Sequence, residues 1–317
     1  MSLETVQANN GHARIQYIDS MKAWAILCVV MGHVLIFNLY GIDNHSLLFG
    51  LIYSFHLPLF AFSSGLVTDI SKFNFKRRIK IVYPLFLFGL SFTFFIGKNS
   101  SYFFLDEMKS GYWWLWMMAI FYVCLHIMQR FKIGVVLGFV AFEILFQLLS
   151  RCLPYTYVAI FCLRSCADLW PWLCLGMLLK EHGWIRCCNL KWYLILALSV
   201  LWIFSYFLNS AFSIKGYHYV VSISGVIFFT SLFCTLSNRC NFKMGGVIGR
   251  CTLQIYVLHY FLIRFLPLKH IGEYLKEYNL WILDFIICPI LAFLVCWLCV
   301  MLSNGLQKIK LDWVFGK

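Results

Sequence analysis

The stretch YIDSMKAWAILCVVMGHV, residues 17–34, opens the first long apolar run of the chain and carries Asp19, Lys22 and His33 inside it. A plain membrane anchor needs none of the three. An ionisable side chain at bilayer depth costs about 3 kcal/mol or more, so such residues face a polar interior and mark a function. The run follows a polar leader, is too long for the apolar region of a signal peptide and shows no small-residue cleavage site. It is therefore expected to remain as the first span.

Outward from this stretch the chain is uniformly apolar: 62% hydrophobic, 19% aromatic and 12% charged residues in 317, with a mean hydropathy of +0.80. Soluble domains of this length do not have that composition. Runs of about 20 apolar residues, the length that crosses a hydrocarbon core, recur between short polar breaks. They predict an all-α, polytopic integral membrane protein with about ten transmembrane helices, at 18–40, 47–69, 79–97, 112–128, 133–150, 154–179, 190–209, 217–236, 248–267 and 280–303. The sixth, with Pro154, Arg164, Asp168 and Pro171, reads either as one broken helix or as two pieces, since interrupted backbone survives at membrane depth only where protein or water satisfies it. The organisation is a leader at 1–17, one transmembrane domain at 18–303 and a tail at 304–317.

The basic residues check this reading independently. With both termini in the cytoplasm, most of the 26 Lys and Arg fall on that side: Arg14, Lys22, Lys72, Lys76, Arg77, Arg78, Lys80, Arg130, Lys132, Lys180, Arg186, Lys191, Arg239, Lys243, Arg250, Lys308, Lys310 and Lys317. That is the positive-inside bias expected for an even number of spans. It accounts for the net charge of +13 through juxtamembrane loops facing anionic lipid or an anionic cytoplasmic ligand, without nucleic acid. Most of the fourteen cysteines lie within spans, where Cys packs as a small apolar residue. Cys187 and Cys188 fall in a predicted cytoplasmic loop, where thiols stay reduced. Cys162/Cys166 and Cys296/Cys299 lack histidine companions, so no metal site is expected.

Lys22 and His33 are eleven residues apart; on an α-helix that is about 1100°, three turns plus roughly 20°, with a rise near 16 Å. They share one face, and Asp19 joins it one turn earlier. The stripe could line a cleft from the cytoplasmic surface toward mid-bilayer. A neutral histidine at its deep end is suited to act as a general base toward a hydroxyl, and Gly32 leaves room beside the ring. The alternative is a core histidine making an interhelical hydrogen bond. His56, two residues before Pro58, either takes a backbone carbonyl freed by the proline or lines a cleft. Tyr256 and His259 share a face and read as a packing and hydrogen-bonding pair, with acceptor binding open. Arg164 and Asp168, four apart, are expected to neutralise each other, while Glu143 and Asp284 have no assignable partner.

The pattern IDSMKAWAILCVVMGHV resembles the N-terminal signature of the membrane-bound acyltransferase 3 family, in which a basic residue, usually Arg, precedes a His on the first helix by eleven positions. Lys22 stands in place of that Arg and keeps the charge without the planar fork. FHLPLFAFSSG, residues 55–65, resembles the second-helix motif of the fucose 4-O-acetylase-like branch through His56, Pro58, Phe60, Ser64 and Gly65. KRRIKIVYP, residues 76–84, is similar to the family's basic loop, with Arg77 and Lys80 at its paired basic positions. YWWLW, residues 112–116, and GRCTLQIYVLH, residues 249–259, follow in family order.

The resemblance implies transfer of an acyl group, usually acetyl from cytoplasmic acetyl-CoA, to a hydroxyl of a cell-envelope polysaccharide or lipid-linked sugar, in a bacterial inner membrane. Acetyl-CoA is then a substrate, and no bound cofactor is implied. Arg77, Arg78 and Lys80 become donor-binding candidates, able to hold the phosphates of coenzyme A by charge-assisted hydrogen bonds, or else they only fix topology. His33, Lys22 and Asp19 become the catalytic candidates; His56, Ser64, Tyr256 and His259 become acceptor-binding or structural ones. His33 would deprotonate the acceptor or carry the acyl group itself, with Lys22 stabilising negative charge on the donor or oxyanion. The competing class is a transporter or flippase for a lipid-linked sugar; such proteins often pair repeat-related broken helices, and only one span here is clearly broken.

Overall fold

Every regular element among the described residues is helical, in agreement with the all-α reading. The computed structural model describes residues 16–39, 46–184, 188–213, 216–237, 243–266 and 280–316. Most of the leader, with Arg14, and also Arg186, Cys187, Arg239 and Lys317 lie outside these residues.

Helix α1 (Gln16–Val34) contains no proline and continues through a π turn, Leu35–Leu39. α2 (Leu47–Tyr53) and α3 (His56–Leu66) return. α4 (Phe75–Arg78) passes through a 3-10 turn at Ile79–Ile81 into α5 (Val82–Phe95), and α6 (Ser100–Leu105) leads to α7 (Trp113–Arg130). Then come α8 (Val135–Cys152), α9 (Tyr155–Ile160), α10 (Leu163–Glu181), α11 (Trp192–Phe212), α12 (Tyr217–Ser237), α13 (Lys243–Arg250) and α14 (Thr252–Phe265). α15 (Cys288–Lys308) is reached through Leu280–Ile282 and a π turn at Leu283–Ile287, and a 3-10 turn, Asp312–Phe315, follows it. The sixth predicted span is two pieces, α9 and α10, parted at Cys162, whose φ is +49°.

Among the described residues seven segments are long and apolar enough to cross a bilayer: Gln16–Leu39, Leu47–Leu66, Phe75–Phe95, Val135–Cys152, Trp192–Phe212, Tyr217–Ser237 and Leu283–Lys308. The other three segments of the ten-span reading are shorter or more polar. α14 has 14 residues, α10 contains Arg164, Asp168, Lys180 and Glu181, and α7 ends in His126, Gln129 and Arg130.

Burial does not follow hydropathy, because spans of equal mean hydropathy differ widely in how much of them is enclosed. The helix that carries Asp19, Lys22 and His33 is the most enclosed span, 67% buried, against 17% for α8 and α11. α1 packs against α3, α12, α13, α14 and α15. α8 turns Leu137, Val140, Ile144 and Leu148 outward, and α11 turns out Leu196, Val200, Phe204 and Phe207. Such faces cost nothing against lipid tails, so helix association here depends on close packing and polar contacts. The α3–α10 contact shows the first: a Cβ on Gly65 would lie 2.0 Å from the Leu173 carbonyl oxygen, and one on Gly176 would lie 2.2 Å from that of Phe62. The buried cysteines belong to the same packing. Cys28, Cys288, Cys296 and Cys299 are fully enclosed, and Cys288 donates to the Met31 carbonyl at 3.5 Å.

The α2–α3 junction shows the second. Pro58 lies in the first turn of α3, where its missing N–H leaves the carbonyl four residues back without a helical donor. That carbonyl, on Ser54, accepts from the Ser222 hydroxyl of α12 at 2.7 Å. His56 takes a different carbonyl, that of Ile52, at 2.7 Å. A histidine–carbonyl bond is present as expected, but the proline-freed oxygen belongs to Ser222. Arg164 and Asp168 do not pair either. Arg164 lies 3.9 Å from Glu107 and stacks over Tyr155, while Asp168 accepts from the Tyr219 hydroxyl at 3.4 Å. Both are at the exposed surface near the start of α10, where other helices offer closer partners than the next turn does. Glu143 accepts from Gln147 at 3.0 Å and Asp284 from the Ser46 hydroxyl at 2.6 Å.

Candidate active site

α1 runs unbroken through Lys22 and His33, so the predicted shared face is present and the two Cα atoms are separated by about 16 Å of helix rise. Asp19 and Lys22 are half-buried near its start. At the deep end Tyr53 packs against Gly32, where a Cβ would meet its ring at 2.9 Å. The space beside His33 is thus filled by an aromatic side chain, whose ring is 4.8 Å from that of His56.

The other wall is α14. Tyr256, His259 and Tyr260 are buried at 7%, 0% and 3% exposure. The Tyr260 hydroxyl is 2.9 Å from His33 Nε2 and donates to the Gly111 carbonyl at 3.1 Å. The His33 ring is 4.7 Å from Tyr260, 5.2 Å from His259 and 5.8 Å from Phe37, onto which it stacks. His259 Nδ1 contacts its own helix at the Ile255 carbonyl, 3.0 Å away. Tyr256 and His259 do pack, with rings 5.8 Å apart, but the Tyr256 hydroxyl donates to Gly111 at 2.7 Å. Asn38 closes the outer rim by donating to the Ile263 and Leu266 carbonyls. These sit in the last turn of α14, where helix carbonyls lack internal donors. Arg264 lies over the Phe37 ring.

Gly111 is presented by an unusual turn. Lys109, Ser110 and Gly111 have φ of +48°, +54° and +97°, a run that only strong surrounding constraints sustain. Lys109 supplies them. It is fully buried, and its Nζ donates to the carbonyls of Phe104, Asp106 and Ala159 at 2.6, 2.9 and 2.9 Å. Ser110 bonds Thr93 at 2.8 Å, and Tyr112 donates to Val257 at 2.8 Å, tying the turn to α5 and α14.

The remaining candidates lie elsewhere. Ser64 is two turns along α3 from His56 and spends its hydroxyl proton on the Phe60 carbonyl at 2.9 Å. Arg77, Arg78 and Lys80 are exposed on α4 and the 3-10 turn beyond α3, with Asn74 capping α4 through the Arg77 N–H. Beside them is an open groove of about 510 Å³ lined by Ser71, Lys72, Phe73, Asn74, Phe75, Lys76, His126 and Gln129. The basic loop is therefore solvated, and Lys72 and Lys76 line the groove rather than the three expected residues. Outside the spans, Asp69 accepts from the Ser71 hydroxyl at 2.6 Å and the Ser71 N–H at 3.0 Å. The Ser71 hydroxyl foremost, with Lys180 nearby, lowers its pKa below the usual carboxylate value.

The structure thus brings His33, His259, Tyr256 and Tyr260 together with Gly111, and places His56 one aromatic ring away. Sequence reasoning missed Tyr260, Tyr53 and the Lys109–Gly111 turn. Tyr260 had a readable signal, since it stands four residues after Tyr256 on the same helical face. The turn had none beyond Gly111 itself.

Among known proteins, a family model described as an acyltransferase domain matches residues 15–301. No curated protein and no solved structure matches the chain.

Proposed function

The chain belongs to this acyltransferase-domain family, and on that premise we propose that the membrane acyltransferase moves an acetyl or other short acyl group from acyl-CoA to a hydroxyl of a cell-envelope polysaccharide or lipid-linked sugar. The observation that carries the reading is His33. Its imidazole is held in an aromatic chamber at the deep end of the most enclosed helix, with a ring nitrogen left without a hydrogen-bond partner.

In the proposed reaction the imidazole takes the proton of the acceptor hydroxyl as its oxygen attacks the thioester carbonyl. The new C–O bond forms, the C–S bond breaks, and the departing thiolate of coenzyme A takes the proton back from the imidazolium. Lys22, about 16 Å away along α1, is too far to touch the same oxyanion. It serves the donor at the cytoplasmic mouth, with Asp19 one turn beyond, and the solvated Arg77, Arg78 and Lys80 attract the anionic donor to that side. On the same reading α7, α10 and α14 also cross, which gives ten passes in the inner membrane, both termini in the cytoplasm, and the fucose 4-O-acetylase-like branch of the family.

The test is transfer of labelled acetyl from acetyl-CoA to envelope glycan in membranes holding the wild type or His33→Ala at equal protein levels. Loss of the acetylated product in the variant is expected, and undiminished transfer removes His33 from the mechanism. Acceptor movement across the membrane without thioester loss supports a flippase instead.

A further inference from the structure

The contacts of Tyr260 determine which nitrogen of His33 carries the proton. A phenol hydroxyl has one proton to give. The Gly111 carbonyl can only accept, and it lies 3.1 Å from the Tyr260 oxygen, with His33 Nε2 at 2.9 Å. If Tyr260 donates to His33, its oxygen faces the Gly111 oxygen with no proton between two acceptors. If Tyr260 donates to Gly111, its oxygen is free to accept from a protonated Nε2, and both contacts are satisfied. Gly111 has a second lone pair for Tyr256, at 2.7 Å.

Three other histidines make the contrast, although His126 Nδ1 in α7 is unpartnered as His33 Nδ1 is. His56, His182 and His259 each place Nδ1 against the carbonyl four residues earlier, on Ile52, Leu178 and Ile255, at 2.7, 3.0 and 3.0 Å. A carbonyl only accepts, so these rings carry hydrogen on Nδ1. His33 Nδ1 has no hydrogen-bond partner and is enclosed. The hydrogen bond made by one ring nitrogen sets the state of the other.

We propose that Tyr260 is a positioning residue that fixes His33 as the Nε2–H tautomer, so that Nδ1 is the atom that receives the acceptor's proton. The inference rests on the catalytic reading of His33 and specifies its atom. The imidazolium then keeps its Nε2–H bond to Tyr260 while Nδ1 gains the proton and gives it up, and the chain from Nε2–H through the phenol to Gly111 is polarised in one direction. It also gives the strained turn a purpose. The positive-φ run aims the Gly111 carbonyl at two tyrosines, and a Cβ on Gly111 would lie 2.3 Å from the Tyr260 ring. Nδ1 and the similarly unpartnered His259 Nε2 are both acceptors, so a group that bonds to them must bring protons, as a hydroxyl does.

The test is nitrogen-15 NMR of the full chain, histidine-labelled, in lipid bilayers, with His33 assigned by its loss in His33→Ala. The wild type should show His33 protonated at Nε2 and bare at Nδ1. Tyr260→Phe keeps the ring and should move His33 toward the Nδ1–H form, lowering kcat about 10- to 100-fold with the KM for acetyl-CoA unchanged. Tyr256→Phe, which loosens Gly111 without touching His33, should leave the tautomer as it is. An Nδ1–H signal in the wild type, or an unaltered tautomer in Tyr260→Phe, overturns the proposal, and the wild-type spectrum decides even if that variant does not fold. Because the spectrum reads the tautomer whether or not His33 catalyses, undiminished transfer by His33→Ala overturns the catalytic reading alone.

Discussion

The surroundings of His33 and the basic loop are built on opposite principles. Around His33 four side chains reach into another element: Tyr260 and Tyr256 to Gly111, Tyr112 to Val257 and Asn38 to the end of α14. Around the basic loop Arg77, Arg78 and Lys80 are exposed to solvent. A site that must place a proton within a few tenths of an ångström needs fixed donors and acceptors. Capture of a multiply charged donor needs only a field of the right sign, which water-exposed cations provide at long range. The His33 surroundings are therefore expected to govern rate, and the basic loop to govern affinity for the proposed donor.

Loss of His33 should matter most. Replacing it with alanine removes the proposed base and should lower kcat by about 10²- to 10⁴-fold, measured as acetyl transfer at saturating acetyl-CoA. A variant that changed only KM would place the chemistry elsewhere. The α3–α10 contact joins the two regions, because α3 begins at His56 and leads to the basic loop. Gly176→Ala puts a methyl against the Phe62 carbonyl, and overpacking of that kind costs about 1–3 kcal/mol. The melting temperature in detergent should fall by about 2–10 °C. Gly134→Ala, where nothing lies within 4 Å of the added carbon, should move it far less. Equal effects would show that the backbone contact is not what holds these helices together.

In the basic loop, Arg77→Gln or Lys80→Gln should raise the KM for acetyl-CoA by up to about fivefold each, since an exposed ion pair contributes roughly 0–1 kcal/mol. kcat should stay constant, and the difference should shrink as salt screens the wild-type loop. A fall in kcat would mean that these residues reach the reacting atoms.

The sequence made the helical class and the first-helix face legible because both follow from periodicity alone: apolar length gives spans, and the eleven-residue spacing gives one face. It also pointed to His33, since a titratable group in an apolar run has few structural excuses. What it did not reveal depends on contacts between distant segments. Tyr260 and His33 are 227 residues apart in sequence, and the Gly111 carbonyl is a backbone atom whose direction comes from the fully buried Lys109, a residue that looks like a loop cation by composition. The Arg164–Asp168 pair failed for the same reason. Helical spacing permits the contact, but Glu107 and Tyr219 come from elsewhere in the chain and compete for it. The outward apolar faces of α8 and α11 gave no such difficulty, because packing against lipid asks only for hydrophobicity.

The smallest effect should come from Asp69, and it separates the two regions by pH. Its carboxylate holds the turn that leads from α3 to the basic loop by accepting the hydroxyl and N–H of Ser71, and these bonds lower its pKa. A depressed folded-state pKa means that the ionised form contributes stability at any pH above the unfolded value, about 3.9. That contribution is lost as pH falls through the lower folded value. Asp69→Asn keeps the shape and an accepting oxygen but removes the charge. Near neutral pH the variant should show slightly weaker amide-exchange protection over residues 71–73, by less than about 1 kcal/mol because the site is solvated. The gap between wild type and variant should close as the buffer is taken below about pH 4. A gap that stays constant into that range would mean that shape rather than charge holds the turn, as fixed contacts hold the groups around His33.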